Sequence, residues 1–414
     1  MTDKKDYDVI VIGGGPAGST FARIVAQGGM DVLVVDKRRE IGVPVRCGEG
    51  LGEREVHSQK LDIPRHAYST EIVGAKVIAP NGKSITWKSD ETRGWVLERK
   101  VFDKWLAEKA VEKGAEIRSY TRAIDLIREN GNNGTTGKIS GVVLSHGGRE
   151  PYEVRAPLIV SAEGMESMIA RKAGFDTVHK PYDVDTCYQY EMKPYDHENL
   201  IELYFGNELA PRGYVWIFPK ADRKANVGIG IGGTSFNGTK LGGMKGCDPK
   251  ILLDRFIAAN PHLKLSEAST LMDFGGVISV GTPLNEFVKD NFMVIGTAAK
   301  QVDPIHGGGI ALAMECGIMA ANVVLKAHAK KDYSKQTLFE YEKTWRDGPG
   351  KKVAKRLLLR KVMEKVSDDD LNYIFNTISD ADLNQIMKGQ FAGPVAKVLA
   401  GRPQLLGVLS ALIH

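Results

Sequence analysis

The residues that point most directly to chemistry form a glycine cluster near the N-terminus, at positions 13–18 (GGGPAG). A short apolar run, Val9 to Ile12, precedes the cluster and a helical pattern follows it. Gly13 permits a tight turn, Gly15 lets the main chain approach a pyrophosphate, and Gly18 lets the helix pack closely on the strand. The N–H groups at the start of that helix then bind phosphate.

An acidic residue closes the second strand of this strand–helix–strand pattern. Val32 to Val35 is apolar and is followed directly by Asp36, which is placed to accept hydrogen bonds from a ribose. A glycine-rich turn without a ligand is the alternative, but the strand, turn, helix and acid occur in the required order. The pattern therefore predicts a dinucleotide site.

A second glycine-rich element, near the other end of the chain, bears on which nucleotide is bound. A predicted strand, Phe292 to Ile295, leads into Gly296-Thr297, and three glycines at 307–309 precede a long helix from Ile310. A nicotinamide dinucleotide needs only one such fingerprint, so this second element favours a longer ligand. Reduced flavin is anionic near N1 and O2, and a helix N-terminus there would stabilise it by roughly 0.3–2 kcal/mol.

The pattern of apolar residues indicates which elements position these loops, and it predicts an α/β protein. A Rossmann-like nucleotide-binding domain is predicted for residues 1–72, 95–181 and 277–333. An inserted antiparallel β-sheet domain that binds the substrate is predicted for 73–94 and 182–276, and a helical C-terminal region for 334–414.

Composition excludes several classes of function. The net charge of +5 is too weak to indicate a nucleic-acid partner. The four cysteines are far apart, which argues against a disulfide framework or a zinc site and favours a reducing cytoplasm.

No apolar segment long enough for a signal peptide precedes the first strand. The apolar stretch from Gly307 to Leu325 contains Glu315, and we expect a buried helix there and not a membrane span.

Several motifs, taken in order, resemble the aromatic-hydroxylase-type flavoprotein superfamily: GGGPAGS, RCGEG, LERKVFD, Glu163-Gly164 and GTAAKQVDPIHGGGIALA. RCGEG together with PRGYVWIFPK and the following NVGIG is more specific. This combination resembles the geranylgeranyl reductase family, in particular the archaeal digeranylgeranylglycerophospholipid reductases. The match spans about residues 7 to 345.

The resemblance implies non-covalently bound FAD. The residues it implies around the cofactor are Gly13, Gly15, Ala17 and Gly18 at the pyrophosphate, Asp36 at the adenine-side ribose, Cys47, Gly48 and Gly50 beside the flavin, Arg99 opening a helix that faces the pyrophosphate, Ala123 near the adenine, and Gly309 and Ile310 at the isoalloxazine.

Two positions depart from the family pattern. An Asp usually follows the glycine that holds the ribityl chain, whereas here Thr297 follows Gly296. The middle motif usually reads Asp-Gly, and here it is Glu163-Gly164. Two interpretations stay open: a lower affinity for FAD, or binding in which main-chain contacts suffice.

The resemblance also implies the reaction, which is saturation of the C=C bonds of geranylgeranyl chains on archaeal membrane glycerophospholipids. Protonation of one alkene carbon would accompany hydride transfer from N5 of the reduced flavin, with the alkene held about 3–3.5 Å from N5. An FAD-dependent aromatic monooxygenase is the alternative, because it shares the scaffold. A flavin-bearing protein without catalytic activity is a third.

Candidate substrate and proton-transfer residues follow from the same motifs. Tyr214, Trp216 and Phe218 fall on one face of a strand and could line a slot for an isoprenoid, or form an ordinary aromatic core face. Cys47, His306 and Tyr214 are the candidate proton donors. A main-chain contact with FAD for Cys47, and a packed or solvent-facing ring for His306, are the alternatives.

Two partners remain to be identified. No second nucleotide fingerprint holds a reduced nicotinamide, so electrons would come from a transiently docked nicotinamide or from a protein such as a ferredoxin. Residues 350–366 carry seven Lys or Arg residues and one Glu around an apolar stripe. This helix would lie on anionic lipid at the inner face of the membrane, or pack on the protein with a solvated basic face.

Overall fold

The computed structural model describes residues 5–53, 61–129, 137–233, 247–387, 390 and 392–406. In chain order the strands are β1 (Val9–Ile12), β2 (Val32–Val35), β3 (Gly50–Gly52), β4 (Tyr68–Ile72), β5 (Gly74–Ile78), β6 (Ser84–Lys88), β7 (Gly94–Leu97), β8 (Glu116–Arg118), β9 (Thr121–Glu129), β10 (Lys138–His146), β11 (Tyr152–Arg155), β12 (Leu158–Ser161), β13 (Val184–Lys193), β14 (Leu200–Tyr204), β15 (Tyr214–Lys220), β16 (Lys224–Gly232), β17 (Ser269–Ser279), β18 (Val288–Lys289) and β19 (Phe292–Val294). The helices are α1 (Pro16–Gln27), α2 (Arg99–Val111), α3 (Met168–Lys172), α4 (Pro249–Ala259), α5 (Ile310–Lys330), α6 (Lys335–Asp347), α7 (Pro349–Met363), α8 (Asp368–Thr377), α9 (Asp380–Met387) and α10 (Ala392–Gly401).

The chain forms two compact units, each assembled from three separate segments. Unit 1 contains residues 1–45, 99–178 and 282–354, and unit 2 contains residues 46–98, 179–281 and 355–414.

A six-stranded sheet forms the centre of unit 1, in the order β18-β19-β12-β1-β2-β8. Its strands pair in parallel except for β18 and β19, which are antiparallel. β1 and β2 are continuous apolar runs in which every residue is buried, which is typical of parallel strands. The predicted Rossmann-like domain is therefore confirmed, and it carries the first glycine loop between β1 and α1.

α5 is a core helix of unit 1 and packs along α1. A Cβ atom at Gly317 would lie 2.6 Å from the carbonyl oxygen of Ala17, so a glycine is needed where the two helices approach. By length and composition alone α5 could cross a membrane, but half of its most apolar stretch is buried inside the protein. Ala320 and Val324 are among its fully buried residues.

Unit 2 contains a seven-stranded sheet in the order β17-β13-β16-β15-β14-β5-β6. The predicted antiparallel sheet is confirmed with one difference, because β14 and β5 pair in parallel. β5 and β6 form the hairpin around Asn81 and Gly82. α4 packs on β13 and β16, with Leu253 and Phe256 buried in a core that includes Val227 and Ile229.

The units differ from the predicted domain boundaries by a few residues at 95–98, 179–181 and 277–281, and by more at two places. Residues 46–72 belong to unit 2 and not to the nucleotide-binding domain, because β3 and β4 both hydrogen-bond to β7. The described residues of the C-terminal region, 334–414, are largely helical, as predicted, and they are divided between the two units after residue 354. Tyr341 and Trp345 lie in the core of unit 1, whereas Phe375 packs on Ala79 and Ile85 of unit 2.

Candidate functional site

The first glycine loop of unit 1 is fixed by its own main chain. A Cβ atom at Gly18 would overlap the carbonyl oxygen of Gly13, and one at Gly13, where φ is +109°, would overlap the carbonyl oxygen of Ala162. A Cβ atom at Gly15 would meet no atom of the protein within 4 Å. α1 begins directly after Gly15, and no side chain caps its N-terminus. Open space beside uncapped N–H groups fits the close approach of a pyrophosphate.

Asp36 holds this loop and keeps acceptor capacity for a ligand. Its Oδ2 accepts a hydrogen bond from the Gly14 N–H at 2.9 Å, and its Oδ1 accepts one from the Arg38 N–H at 2.8 Å. An ionised carboxylate has about four lone-pair sites. Asp36 can therefore accept hydrogen bonds from ribose hydroxyls while it fixes the glycine turn.

The second glycine-rich loop lies against the first. A Cβ atom at Gly296, where φ is +64°, would lie 2.9 Å from the Cβ of Ala17. Thr297 Oγ1 lies 3.6 Å from the position of a Cβ at Gly309, and α5 begins at Ile310 without a side-chain cap. Two loops that are remote in the sequence thus form one cradle with two uncapped helix N-termini. Its residues fit a long dinucleotide such as FAD.

Two buried residues that the sequence analysis missed hold the second loop. The Gly296 N–H and the Tyr341 hydroxyl donate hydrogen bonds of 2.8 and 3.0 Å to Gln301 Oε1. Burial raises the pKa of Tyr341 well above its ordinary value, so its hydroxyl stays a donor. No local pattern connects a glutamine after the loop with a tyrosine on α6.

Glu163, one of the two departures from the family pattern, caps a helix. Its Oε1 accepts a hydrogen bond from the Ile169 N–H, and its Oε2 accepts one from the Ala170 N–H, each at 3.0 Å. The Ser161 hydroxyl also donates to it, at 2.8 Å. The carboxylate therefore provides hydrogen-bond acceptors for the N–H groups at the start of α3, where a negative charge is favourable.

Arg99 and Ala123 lie where the sequence predicted, but their contacts with the nucleotide remain predictions. Arg99 opens α2, and its guanidinium donates two hydrogen bonds of 2.7 Å to the buried carboxylate of Asp103. Ala123 lies on β9 and packs against the core of unit 1.

His306 is folded back onto the second loop. Its Nδ1 accepts a hydrogen bond from the Gly308 N–H at 3.0 Å, and its Nε2 lies 3.4 Å from Asp303 Oδ2. The side chain is 54% exposed. A role as proton donor stays a prediction, and the contacts seen are those of a residue that shapes the loop.

In unit 2, three aromatic residues form a row along β15. The ring centroids of Tyr214 and Trp216 are 5.9 Å apart, and those of Trp216 and Phe218 are 6.3 Å apart. Val215 and Ile217, which alternate with them, are fully buried in the core. The predicted shared face therefore exists, and lining a substrate slot remains its predicted role.

The glycines of the NVGIG motif make room for this row. A Cβ atom at Gly228 on β16 would overlap the indole of Trp216. The Trp216 Nε1–H donates to Gln189 Oε1 at 2.9 Å. Burial and the nearby Cys187 thiol raise the pKa of Tyr214, which makes its phenol a weaker proton donor than a free tyrosine.

The RCGEG loop lies against the aromatic row within unit 2. Cβ atoms at Gly48 and Gly50 would each lie 3.1 Å from Phe218 Cε2, so larger residues would have to displace that ring. The sulfur of Cys47 accepts a hydrogen bond from the Glu49 N–H at 3.2 Å. Cys47 is partly exposed, whereas the other three cysteines are buried.

A buried charge cluster lies beneath this loop, and the sequence analysis did not anticipate it. Lys220 Nζ lies 2.9 Å from Glu49, 3.1 Å from Glu98 and 2.9 Å from Glu191. The Lys220 side chain is only 2% exposed. Burial disfavours its charge, but the carboxylates outweigh burial and raise its pKa. Its partners come from three distant segments, so no local spacing could have indicated them.

The predicted site residues are divided between the two units. Unit 1 contains Gly13, Gly15, Ala17, Gly18, Asp36, Arg99, Ala123, Thr297, His306, Gly309 and Ile310, and unit 2 contains Cys47, Gly48, Gly50, Tyr214, Trp216 and Phe218. The proximity of Cys47, Gly48 and Gly50 to a flavin stays a prediction.

Two families of known domains match the chain. An FAD binding domain matches residues 6–198. A geranylgeranyl reductase catalytic domain matches residues 183–277, which include the aromatic row and the NVGIG strand.

Whole proteins match over nearly their entire length. Digeranylgeranylglycerophospholipid reductase 2 of Methanococcoides burtonii is 40% identical, over 92% of this chain and 90% of its own. Digeranylgeranylglycerophospholipid reductase of Methanothrix thermoacetophila is 37% identical, over 98% of this chain and 99% of its own. The crystal structure of a geranylgeranyl bacteriochlorophyll reductase-like protein from Thermoplasma acidophilum has a TM-score of 0.85 and 33% identity, over 99% of this chain and 100% of that one.

Proposed function

We propose a function from one premise: the chain belongs to the geranylgeranyl reductase family, among the digeranylgeranylglycerophospholipid reductases. It is an FAD-dependent oxidoreductase that acts on CH–CH groups and saturates the C=C bonds of geranylgeranyl chains. Its substrate is a glycerophospholipid that carries two such chains, a precursor of archaeal membrane lipid. The near-complete alignment with these reductases carries the assignment, and it does not favour the aromatic monooxygenase.

The residues of unit 1 hold the cofactor. The N–H groups at the start of α1 would bind the pyrophosphate, for which Gly15 leaves space. Asp36 would accept hydrogen bonds from the ribose, and the N–H groups at the start of α5, which has no side-chain cap at Gly309, would stabilise negative charge on the reduced flavin. Thr297 offers a hydroxyl to the ribityl chain where the family has a carboxylate.

The residues of unit 2 supply what an isolated alkene needs. An alkene has no carbonyl to stabilise a carbanion, so one carbon must receive a proton as the other receives a hydride. FAD, once bound and reduced, supplies the hydride. The row Tyr214, Trp216 and Phe218 provides an apolar wall that excludes water and holds the isoprenoid chain.

Among the three candidate proton donors, we favour Cys47. Cys47 is partly exposed, and its loop lies against Phe218 of the aromatic row. Desolvation raises the pKa of Tyr214 and makes its phenol a weaker acid than usual, and His306 is engaged with Asp303 and Gly308. The proton would leave the Cys47 sulfur for the alkene carbon and be replaced from solvent.

An anaerobic turnover experiment tests the reductase assignment. The purified holoenzyme is reduced, a glycerophospholipid carrying two geranylgeranyl chains is added, and flavin absorbance and lipid mass are followed. We expect flavin reoxidation together with a gain of two hydrogen atoms per double bond. No reoxidation would overturn the assignment, and oxygen consumption coupled to a phenolic substrate would favour the monooxygenase.

We also propose that α7 contacts the inner face of the membrane, where the substrate resides. Leu358 is 59% exposed, and Lys355, Lys361 and Lys365 are exposed around it. The opposite face is anchored in unit 2, because Arg360 is ion-paired with Asp185 at 2.7 Å. An exposed apolar residue among lysines is suited to an anionic lipid surface.

Co-sedimentation with vesicles of phosphatidylglycerol and phosphatidylcholine tests this contact. Leu358→Glu and Lys361→Glu should each weaken binding about tenfold, since one lysine near an anionic surface contributes about 1 kcal/mol and each change also introduces a negative charge. The matched controls are Leu271→Glu, at a residue that is 53% exposed on β17, and Lys343→Glu, at an exposed residue of α6. Equal losses in the controls would show that the effect is not specific to α7.

The electron donor is proposed to dock transiently, because the sequence has no second fingerprint for a nicotinamide nucleotide. Anaerobic mixing of the oxidised holoenzyme with reduced nicotinamide cofactor, and separately with reduced ferredoxin, distinguishes the two donors by the rate of flavin bleaching.

A further inference from the structure

The RCGEG loop is attached to unit 2 at three consecutive carbonyl groups. The Cys47 carbonyl accepts a hydrogen bond from Gln189 Nε2 at 3.3 Å, and the Gly48 carbonyl accepts one from Asn226 Nδ2 at 3.3 Å. The Glu49 carbonyl accepts one from the Leu97 N–H at 2.8 Å. The three donors lie on β13, β16 and β7, so separate strands converge on one short loop.

Glu49 has an uncommon backbone conformation within this loop. Its φ is 73°, in the left-handed region that non-glycine residues rarely adopt. Such conformations persist where the surroundings over-determine them. Here the carboxylate Oε2 accepts hydrogen bonds from Lys220 Nζ and Asn226 Nδ2, both at 2.9 Å. The Glu49 side chain is 2% exposed, so water does not compete for these contacts.

The orientation of Asn226 is fixed by the same contacts. Its Nδ2 donates to both the Gly48 carbonyl and the Glu49 carboxylate. A flipped amide would place its oxygen against two acceptors, which is unfavourable. Asn226 is fully buried. The side chain of Glu49 and the main chain of Gly48 are therefore held together by one amide group.

The result of this attachment is the placement of one N–H group. The Glu49 N–H points at the Cys47 sulfur, 3.2 Å away. A hydrogen bond from an N–H group stabilises negative charge on sulfur. If Cys47 gives up its proton, the Glu49 N–H is the group positioned to stabilise the thiolate that remains.

We propose that Glu49 is a positioning residue for Cys47. Its carboxylate, bound by Lys220 and Asn226, holds the loop so that the Glu49 N–H bonds to the Cys47 sulfur and the thiol keeps its place in the loop. The inference rests on the proposed function for the use of that thiol as a proton donor. The placement of the thiol itself can be measured without turnover.

The charge cluster makes Glu49 suitable for mutation. Lys220 keeps Glu98 and Glu191 as partners when the Glu49 carboxylate is removed. The positive charge of Lys220 therefore keeps negatively charged partners in Glu49→Gln and Glu49→Ala. Glu91→Ala is the matched control in unit 2, since Glu91 is 75% exposed and pairs with Arg93 at the surface.

The pH dependence of Cys47 alkylation by iodoacetamide, followed by mass spectrometry on the holoenzyme, tests the proposal. In Glu49→Ala the profile should differ from that of the parent chain, because the N–H contact with the Cys47 sulfur is lost. The plateau rate should rise about threefold or more as the loop opens. Glu49→Gln, which keeps the size of the side chain, should give a smaller change, and Glu91→Ala should give none.

The outcomes separate this inference from the reductase assignment. Profiles of Glu49→Ala and Glu49→Gln that superimpose on the parent profile would overturn the positioning role, even if lipid reduction proceeds. A shifted profile supports it, even if no lipid is reduced. If Glu49→Ala does not fold, Glu49→Gln alone decides, and an alkylation profile of that variant that is identical to the parent profile overturns the proposal.

Discussion

The first glycine loop of unit 1, residues 13–18, and the RCGEG loop of unit 2, residues 46–50, are held in different ways. In unit 1, residues 13–18 are fixed by the absence of side chains, because a Cβ atom at Gly13 or Gly18 would overlap a carbonyl oxygen. In unit 2, residues 46–50 are fixed by side chains, through the buried contacts of Glu49 with Lys220 and Asn226. An added side-chain atom should therefore disrupt the loop of unit 1. Removal of a charged side chain should disrupt the loop of unit 2.

The difference follows from what each loop has to do. The loop in unit 1, in the proposed function, presents N–H groups to a phosphate, and these groups need only close approach. The loop in unit 2, in the proposed function, has to place one thiol, that of Cys47, in a fixed position. Glycine alone cannot do this because it leaves the main chain flexible. Glu49, between Gly48 and Gly50, is the residue that restricts the loop.

Removal of the buried ammonium should give the largest effect. Lys220→Met leaves the carboxylates of Glu49, Glu98 and Glu191 without their cation, so we expect a loss of about 3–5 kcal/mol in unfolding free energy. Urea denaturation of Lys220→Met measures the loss, with Lys343→Met as the exposed control.

A double variant then sharpens the interpretation of that loss. In Glu49→Gln combined with Lys220→Met, one of the uncompensated carboxylates is gone, so part of the stability should return. A double variant that is less stable than the sum of the two single changes would contradict the charge explanation and leave lost packing as the cause.

Added volume at Gly18 should give the next largest effect. The methyl group of Gly18→Ala would overlap the Gly13 carbonyl, which should destabilise unit 1 by about 1–3 kcal/mol. The variant should also be purified without FAD, as seen in the absorbance spectrum. An unchanged melting temperature with full FAD content would show that the loop relaxes easily.

A methyl group at Gly15 separates ligand binding from folding. No protein atom lies within 4 Å of a Cβ there, so the stability of Gly15→Ala should change by less than about 1 kcal/mol. The affinity for FAD should nevertheless fall about tenfold, or about 1.4 kcal/mol, because the methyl group would occupy the space left for the pyrophosphate. Titration of the apoprotein by FAD fluorescence quenching measures this loss. If Gly15→Ala binds FAD as tightly as the parent chain does, the pyrophosphate does not bind beside Gly15.

The last prediction concerns pH and the buried thiol of unit 1, whose effect is confined to strongly alkaline solution. Burial raises the pKa of Cys316 to about 12 from an ordinary value near 9. The folded state therefore keeps a proton that the unfolded state loses, so this contribution to stability is complete below pH 9 and is lost as pH rises from 9 to 12. The stability advantage of the parent chain over Cys316→Ala should narrow across that range in urea denaturation. Alkylation below pH 9 should label Cys47 and leave Cys316 unmodified.

Much of the fold could be predicted because its signals are local. The glycine loop at 13–18, Asp36 and the hairpin at Asn81-Gly82 each lie within one short stretch whose residue types select a backbone conformation. The shared face of Tyr214, Trp216 and Phe218 follows from the alternation of side chains in a strand. These features need no knowledge of where other segments lie.

Other features depend on tertiary structure, because the residues that contact each other are far apart in the chain. Residues 46–72 belong to unit 2 because of pairing with β7, and no pattern within them indicates which strand they would join. Glu163 caps α3, and Lys220 joins carboxylates from three distant segments. Charge pairing in a buried site depends on three-dimensional distance and desolvation, which residue spacing does not encode. The sequence thus determined the cradle for the nucleotide, and only the folded chain determined how the Cys47 loop is held.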